Sequence, residues 1–455
     1  MRRILVCLLW AVLSLSLVAC EPATVDSRDA TLTPPSLTAG AAQAIITPSR
    51  DPEAIHDDLY VRVLVLGDGT SRYALVTADL LVLHEGHVET MKQGIAERTG
   101  IPAGNITINV SHTHNVPWPG GEWEDGLTYG EWLTKTFIET TARADAARVP
   151  AVLKVDRIPV QAGFNRRLPV RGGVDVWMYP NPNGPIVPYT DILAAYGAED
   201  DKRIAVLFTY AAHPVIVHKS SDKITADLPG TTVKHLTDLV TRNGEFPMEG
   251  VIMFGQGNGG NVNAYPLRGG FQACDVAGDN FATTIGMLID AQDVAPGQIK
   301  TREVTLKLPC ITPPSVEEVE ALMVQNPEDR RLDRLLRTAQ TGPAERFREY
   351  TIQAIQLSDE LVILAMPGET FCDYSLFAVN ASPYEHTIVL GFSNGGDGYV
   401  ASRAAYEMGL AGGYEAALTG NSLGNNPYGL PLDPSVEEII NEGIVTLLTD
   451  LKRQP

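Results

Sequence analysis

Ile106-Thr107-Ile108-Asn109-Val110-Ser111-His112-Thr113-His114 joins a short apolar run to a His-x-His pair, and the architecture is read outward from it. A brief, largely apolar segment bounded by polar residues reads as a buried strand over 106–110. The histidines fall just past its end. Side chains two apart on extended backbone point the same way, so His112 and His114 are expected to enter one cavity. Paired imidazoles suit a metal ion or proton transfer. The plainer reading is one satisfied core histidine and one at the surface, and it is the better reading of an isolated pair. What changes the balance is the set of partners supplied elsewhere in the chain.

From Tyr60 onward, apolar runs alternate with amphipathic ones. Strands are expected at 60–66, 73–77, 106–110, 204–210, 251–254, 361–365 and 386–392. Helices are expected at 88–98, 130–146, 231–241, 279–289, 316–324, 374–379 and 436–451. Interleaving of this kind predicts a layered α/β fold: mixed β-sheets flanked by helices, with both faces covered. Pro-Ser-Val-Glu-Glu occurs at 314–318 and again at 434–438. It reads as two helix starts with Ser315 or Asp433 as caps, rather than as a repeat. Gly257-Asn258-Gly259-Gly260 and Asn394-Gly395-Gly396 each follow an apolar strand. Glycine there permits left-handed turns or a close backbone approach, and plain turns are the alternative.

The amino terminus reads as an export signal over 1–19. Arg2 and Arg3 precede an apolar run that ends in Leu17-Val18-Ala19-Cys20, which resembles a bacterial lipobox with Cys20 as the lipidated residue. Glu21 resembles the sorting residue of lipoproteins sent to an outer membrane. The expected location is therefore outside the cytoplasm, in the periplasm or at the cell surface, with a flexible tether over 20–37 and a single catalytic domain over 38–455. Without Arg2 and Arg3, 33 of the 35 basic residues face 55 acidic ones, a balance of −22. Such a surface repels phosphate backbones, which argues against nucleic acid as a partner. Of the five cysteines, Cys274, Cys310 and Cys372 remain after Cys7 and Cys20. They lack CxxC spacing and leave room for one disulfide and one free thiol.

Four further segments place reactive side chains at expected strand ends. Ala212-His213-Pro214 offers an imidazole, and Met366-Pro367-Gly368-Glu369 offers a carboxylate after a Pro-Gly turn. The others are Ser393–Tyr399 and the glycine-rich Phe254–Asn263. Two imidazoles and a carboxylate make a common catalytic zinc set with one position open to water. Water activated in that way suits attack on an amide or ester carbonyl. Taken singly, His213 and Glu369 read better as capping or ion-paired residues than as ligands.

The ordered motifs Gly40–Pro48, Val76–Leu80, His112-Thr-His114, Phe164-Asn-Arg166, Ala212-His-Pro214, Asn258–Asn263, Pro367-Gly-Glu369 and Gly398-Tyr-Val400 resemble the catalytic domain of the neutral/alkaline, non-lysosomal ceramidase family. The resemblance implies a zinc ion held by His112, His213, Glu369 and Tyr399. It also implies His114 beside the metal, orienting the substrate carbonyl or moving protons, and Arg166 as a substrate contact. An ion-paired structural role for Arg166 is the alternative. Two departures stand out. Asn263 replaces the family's active-site serine and Asn261 the adjacent aspartate, so a serine-acyl route is closed here. Attack by zinc-bound hydroxide survives the change, with Asn263 donating to the oxyanion. The chain also ends soon after these motifs, without room for the β-sandwich domain of full-length ceramidases.

The implied function is a zinc-dependent hydrolase of an N-acyl amide, with a lipid or small-molecule substrate. One alternative keeps the metal but acts on an ester or a sugar-linked bond, with Trp118, Trp123, Arg166 and Arg167 lining the site. Another is a non-catalytic lipoprotein that binds an envelope ligand.

Overall fold

The strand expected after residue 105 spans Ile106–Val110, every residue of it buried. It is the last strand of the larger sheet in a computed structural model that describes residues 37–176, 179–243, 250–343, 345–396, 398–418 and 428–454. The export signal, Cys20, nearly all of the tether and Asp397 lie outside the described residues. The larger sheet contains β1 (Thr38–Ile45), β2 (Tyr60–Gly67), β3 (Arg72–Ala78), β4 (Ile106–Val110), β5 (Val149–Pro159), β6 (Tyr189–Gly197), β7 (Arg203–Tyr210) and β8 (Val251–Gln256). They lie in the order β8-β7-β6-β5-β1-β2-β3-β4, with a short Gln292–Asp293 strand on β5. Pairing is antiparallel except at β7/β8 and β3/β4, where it is parallel. A second sheet orders β9 (Lys300–Pro309), β10 (Phe347–Gln356), β11 (Leu361–Ala365) and β12 (His386–Leu390), with β11 and β12 parallel.

Period-two alternation decides how the sheets stack. On β2, Val61, Val63 and Val65 face α1 (Glu85–Thr99) and α2 (Tyr129–Ala146), packing with Met91, Ile95, Leu133 and Phe137. Leu64 and Leu66 face the other way and share a core with Ile355, Ile363 and Leu390 of the second sheet. The two sheets are therefore packed face to face. On the outer face of the larger sheet, α3 (Asp227–Asn243) and α4 (Gly270–Leu288) cover the β6–β8 end through Leu236 and Phe281. The second sheet is covered by α5 (Val316–Gln325), α6 (Arg331–Thr341), α7 (Cys372–Ala381) and α8 (Val436–Arg453). This is the layered α/β fold with mixed sheets flanked by helices. The expected detail is corrected: each sheet has helices on one face and the other sheet on the opposite face.

Helix starts follow local chemistry. Ser315 and Glu318 form a capping box at α5. Asp433 accepts from the Ser435 amide and hydroxyl, one step ahead of α8. α4 begins at Gly270, well before the expected 279. Cys274, Cys310 and Cys372 are all buried free thiols, so no disulfide joins them. Among the described residues, no helix is long and apolar enough to cross a membrane.

Candidate functional site

β4 forms the edge of its sheet, and its outer edge is covered by the segment that follows β12. Asn394 N–H donates to Ile108 O at 2.7 Å, Ile108 N–H donates to Asn394 Oδ1 at 3.0 Å and Val110 N–H donates to Phe392 O at 3.2 Å. Asn109 completes the join. Its fully buried amide donates to Gln256 O at 3.1 Å and Gly391 O at 2.6 Å, while its Oδ1 accepts from Gln256 N–H at 2.8 Å. One side chain thus ties together the carboxyl ends of β4, β8 and β12. Ligand sites of α/β folds lie beyond such strand ends.

His112, His213, Glu369 and Tyr399 all emerge there. His112 and His114 do enter one cavity, but not because the backbone stays extended. His112 has φ 63°, a left-handed conformation that a bulky residue adopts only when its surroundings hold it there. Its Nδ1 hydrogen-bonds Leu81 O at 2.7 Å. His213, which follows the end of β7, hydrogen-bonds Gly259 O through Nδ1 at 2.8 Å. A carbonyl only accepts, so both Nδ1 atoms carry a proton and both Nε2 atoms are turned toward the cavity.

Both Nε2 atoms face a carboxylate. His213 Nε2 lies 3.0 Å and His112 Nε2 3.5 Å from Glu369 Oε2. Acceptor facing acceptor is repulsive unless a cation lies between them. At His213 a proton does not fill that place at neutral pH: burial, then the Arg166 charge, pushes its imidazole down to about 4. Burial alone would raise Glu369, yet positive charge and donated hydrogen bonds on the His112 and His213 side outweigh it and hold the carboxyl well below its usual range, the same sense in which a bound cation would act. The Nε2 atoms of His112 and His114 are buried and lack a hydrogen-bond partner. Ligand nitrogens of His112, His114 and His213 all lie within 4.8 Å of one another. This donor set fits a divalent metal such as zinc.

Around it, Arg166 is enclosed by acceptors. Its Nε pairs with Glu415 at 2.7 Å, Nη1 donates to Asn263 Oδ1 at 3.2 Å, and Nη2 donates to Gly260 O at 2.7 Å and to Tyr399 Oη at 3.1 Å. Glu415 is fully buried and also pairs with Arg167. Of the two roles weighed for Arg166, these contacts carry the structural one, although its side chain also lines the cavity. The Tyr399 hydroxyl donates to Glu369; burial, then the Glu369 charge, holds the phenol well above its usual range. Burial, then the neighbouring imidazoles, pushes His114 well down, so it is neutral at pH 7.

The surrounding cavity has a volume of about 430 Å³ and is lined by His112, His114, Arg166, His213, Asn263, Glu369 and Tyr399 together with apolar side chains. Asn263 is therefore in the site and Asn261 is not. Asn261 Oδ1 accepts from Cys372 N–H at 2.9 Å and its Nδ2 donates to Asp373 at 3.0 Å, holding the start of α7. Trp118 and Trp123 pack on Tyr129 with ring centroids 5.1 and 5.3 Å away. Neither lines this cavity, which removes the basis for a carbohydrate site built on them.

Sequence reading missed Glu415, Tyr414, His218, Lys219 and Arg268. Glu415 follows Gly-Gly-Tyr without any periodic signal. His218 is five residues past His213, a spacing with no meaning on a strand or helix.

No family model matches the chain, and no curated protein matches it. Solved structures do. The crystal structure of neutral ceramidase from Pseudomonas aeruginosa superposes with a TM-score of 0.66 at 17% identity, over 92% of this chain and 74% of that one. A ceramidase complexed with C2 gives 0.65 at 15% identity, over 92% and 75%. The chain has the fold of the neutral ceramidases.

Proposed function

We propose that this protein is a zinc-dependent hydrolase that cleaves an N-acyl amide, with His112, His213, Glu369 and Tyr399 holding the metal. The supporting observation is the convergence of His112 Nε2 and His213 Nε2 on the Glu369 carboxylate, with both Nδ1 atoms already bound to backbone carbonyls. Likeness in fold to neutral ceramidases favours an amide over other carbonyl substrates. Zinc in such a site supplies Lewis acidity and lowers the pKa of water toward neutrality. His114, neutral and with Nε2 unpartnered, accepts a proton from the attacking water and returns it to the leaving amine. Asn263, its Oδ1 engaged by Arg166, presents Nδ2 donors to the developing oxyanion. Arg166 holds Asn263 and Tyr399 in place.

We also place the chain outside the cytoplasm, tethered by lipid on Cys20. A second reading, a non-catalytic lipoprotein binding an envelope ligand, draws on Asn263 in place of serine. Metal analysis combined with a substrate panel decides between them. The purified chain is expected to carry about one zinc per molecule, which His112→Ala loses, and to cleave at least one N-acyl amide. No bound metal, with His112→Ala behaving like the parent, would end the proposal. Bound zinc with no turnover of any amide or ester leaves the binding reading.

A further inference from the structure

The chain carries 55 acidic against 35 basic residues, yet its candidate cavity inverts that balance. Among the described lining residues, the only carboxylate is Glu369, enclosed by the histidines, whereas Arg166, Lys219 and Arg268 all contribute to the wall. Arg166 is spent on Glu415. Lys219 and Arg268 have no carboxylate partner among the described residues, and Arg268 Nε is buried without a hydrogen bond.

Backbone geometry shows that the loops bearing these cations are held in place. Lys219 has φ 60° and Arg268 φ 57°, both left-handed. Strain of this kind persists only where the surrounding structure determines it. The two loops are joined by hydrogen bonds from Arg268 N–H to Val215 O at 3.2 Å and from Gly270 N–H to Ile216 O at 3.1 Å. His218 links them to the site, its ring centroid 4.8 Å from that of His114. The wall formed by Leu81, Val82, Leu83, Val88 and Phe392 is by contrast apolar.

We infer that the substrate is an anionic amphiphile: an N-acyl amide whose acyl chain lies on the apolar wall and whose amine-side group carries a carboxylate or sulfonate read by Arg268 and Lys219. Resting on the amide hydrolase reading, this departs from neutral ceramide. For an N-acyl amino acid, water's oxygen bonds to the acyl carbon as the C–N bond breaks; the acyl group leaves as a fatty carboxylate, and both water protons end on the amino acid nitrogen, which leaves as an ammonium. Charge-assisted hydrogen bonds from an unpaired guanidinium favour the anion over its neutral isostere by roughly tenfold or more.

The test uses N-lauroyl-glycine, its neutral counterpart N-lauroyl-glycinamide, N-lauroyl-taurine and N-lauroyl-sphingosine, each below its micelle concentration. Equilibrium binding to the metal-stripped protein is expected to favour the glycine conjugate over the glycinamide by roughly tenfold, with preference falling as salt rises. Arg268→Gln and, separately, Lys219→Gln should erode that ratio while glycinamide binding holds. The taurine conjugate separates a general anion site from one shaped for carboxylate. Equal binding of acid and amide overturns the inference. Anion-selective binding without cleavage by the zinc-loaded enzyme removes the amidase reading and keeps the site; cleavage of the sphingosine amide with no anion preference does the reverse.

Discussion

Glu415 shows how much one buried carboxylate can organise. It is fully buried, pairs with both Arg166 and Arg167, and so holds the guanidinium that contacts Asn263 and Tyr399. Removing one partner from a buried ion pair leaves a charge uncompensated and costs about 3–5 kcal/mol. Glu415→Gln is accordingly expected to lower stability by about that amount in urea unfolding. Asn109 is the polar counterpart. Asn109→Ala leaves the Gln256 amide and the Gly391 carbonyl without that partner, and a loss of about 3 kcal/mol is expected by the same measurement. At Asn263 the effect should fall on rate: Asn263→Leu keeps zinc stoichiometry but lowers kcat by about 100-fold, the usual loss for one oxyanion donor. An unchanged kcat would remove that residue from the chemistry.

Between elements, the site depends on loops that approach one another without side chains in the way. A Cβ on Gly260 would meet Glu369 O at 2.3 Å, so the glycine-rich loop needs glycine for close approach to protein backbone rather than to a ligand. Gly260→Ala must push Glu369 away from His112 and His213. The expected result is weaker zinc retention in a chelator competition, with about 1–3 kcal/mol of lost stability. Asn261 acts on the same loop from outside the site. Its Oδ1 accepts the Cys372 amide at the start of α7, so Asn261→Ala should cost about 1 kcal/mol and leave zinc stoichiometry intact.

For the whole molecule, the site makes stability depend on pH and on metal. His213 titrates near its ordinary 6.5 when unfolded and at about 4 when folded. Between those values the unfolded chain takes up a proton that the native chain refuses, so stability rises with pH across that window. Glu369, held below its ordinary range, contributes stability that is lost as pH falls through its folded value. Both act in the same direction. The metal-stripped protein is therefore most stable above about 6.5 and loses Tm steadily toward 4. Added zinc should raise Tm at pH 7 in a concentration-dependent manner, since it binds the folded state. A Tm indifferent to zinc would contradict the assignment.

Legible in the sequence alone were the layered α/β class, the strands β2, β3, β4, β7, β8, β11 and β12 but not β1, β5, β6, β9 or β10, and the residues His112, His114, His213, Glu369 and Tyr399 as chemistry placed at strand ends. Strong apolar runs and ordered motifs carry such information because burial and backbone periodicity are local properties. β1, rich in alanine and glycine, and β9, alternating charge with apolar residues, were not legible, since their strand character comes from neighbours in the sheet. Folding alone settles that the sheets pack face to face, that His112 turns left-handed, that Arg166 is bound to Glu415, and that Asn261 caps a helix. Each depends on contacts between residues far apart in the chain, and no spacing along a single sequence encodes which distant groups will meet.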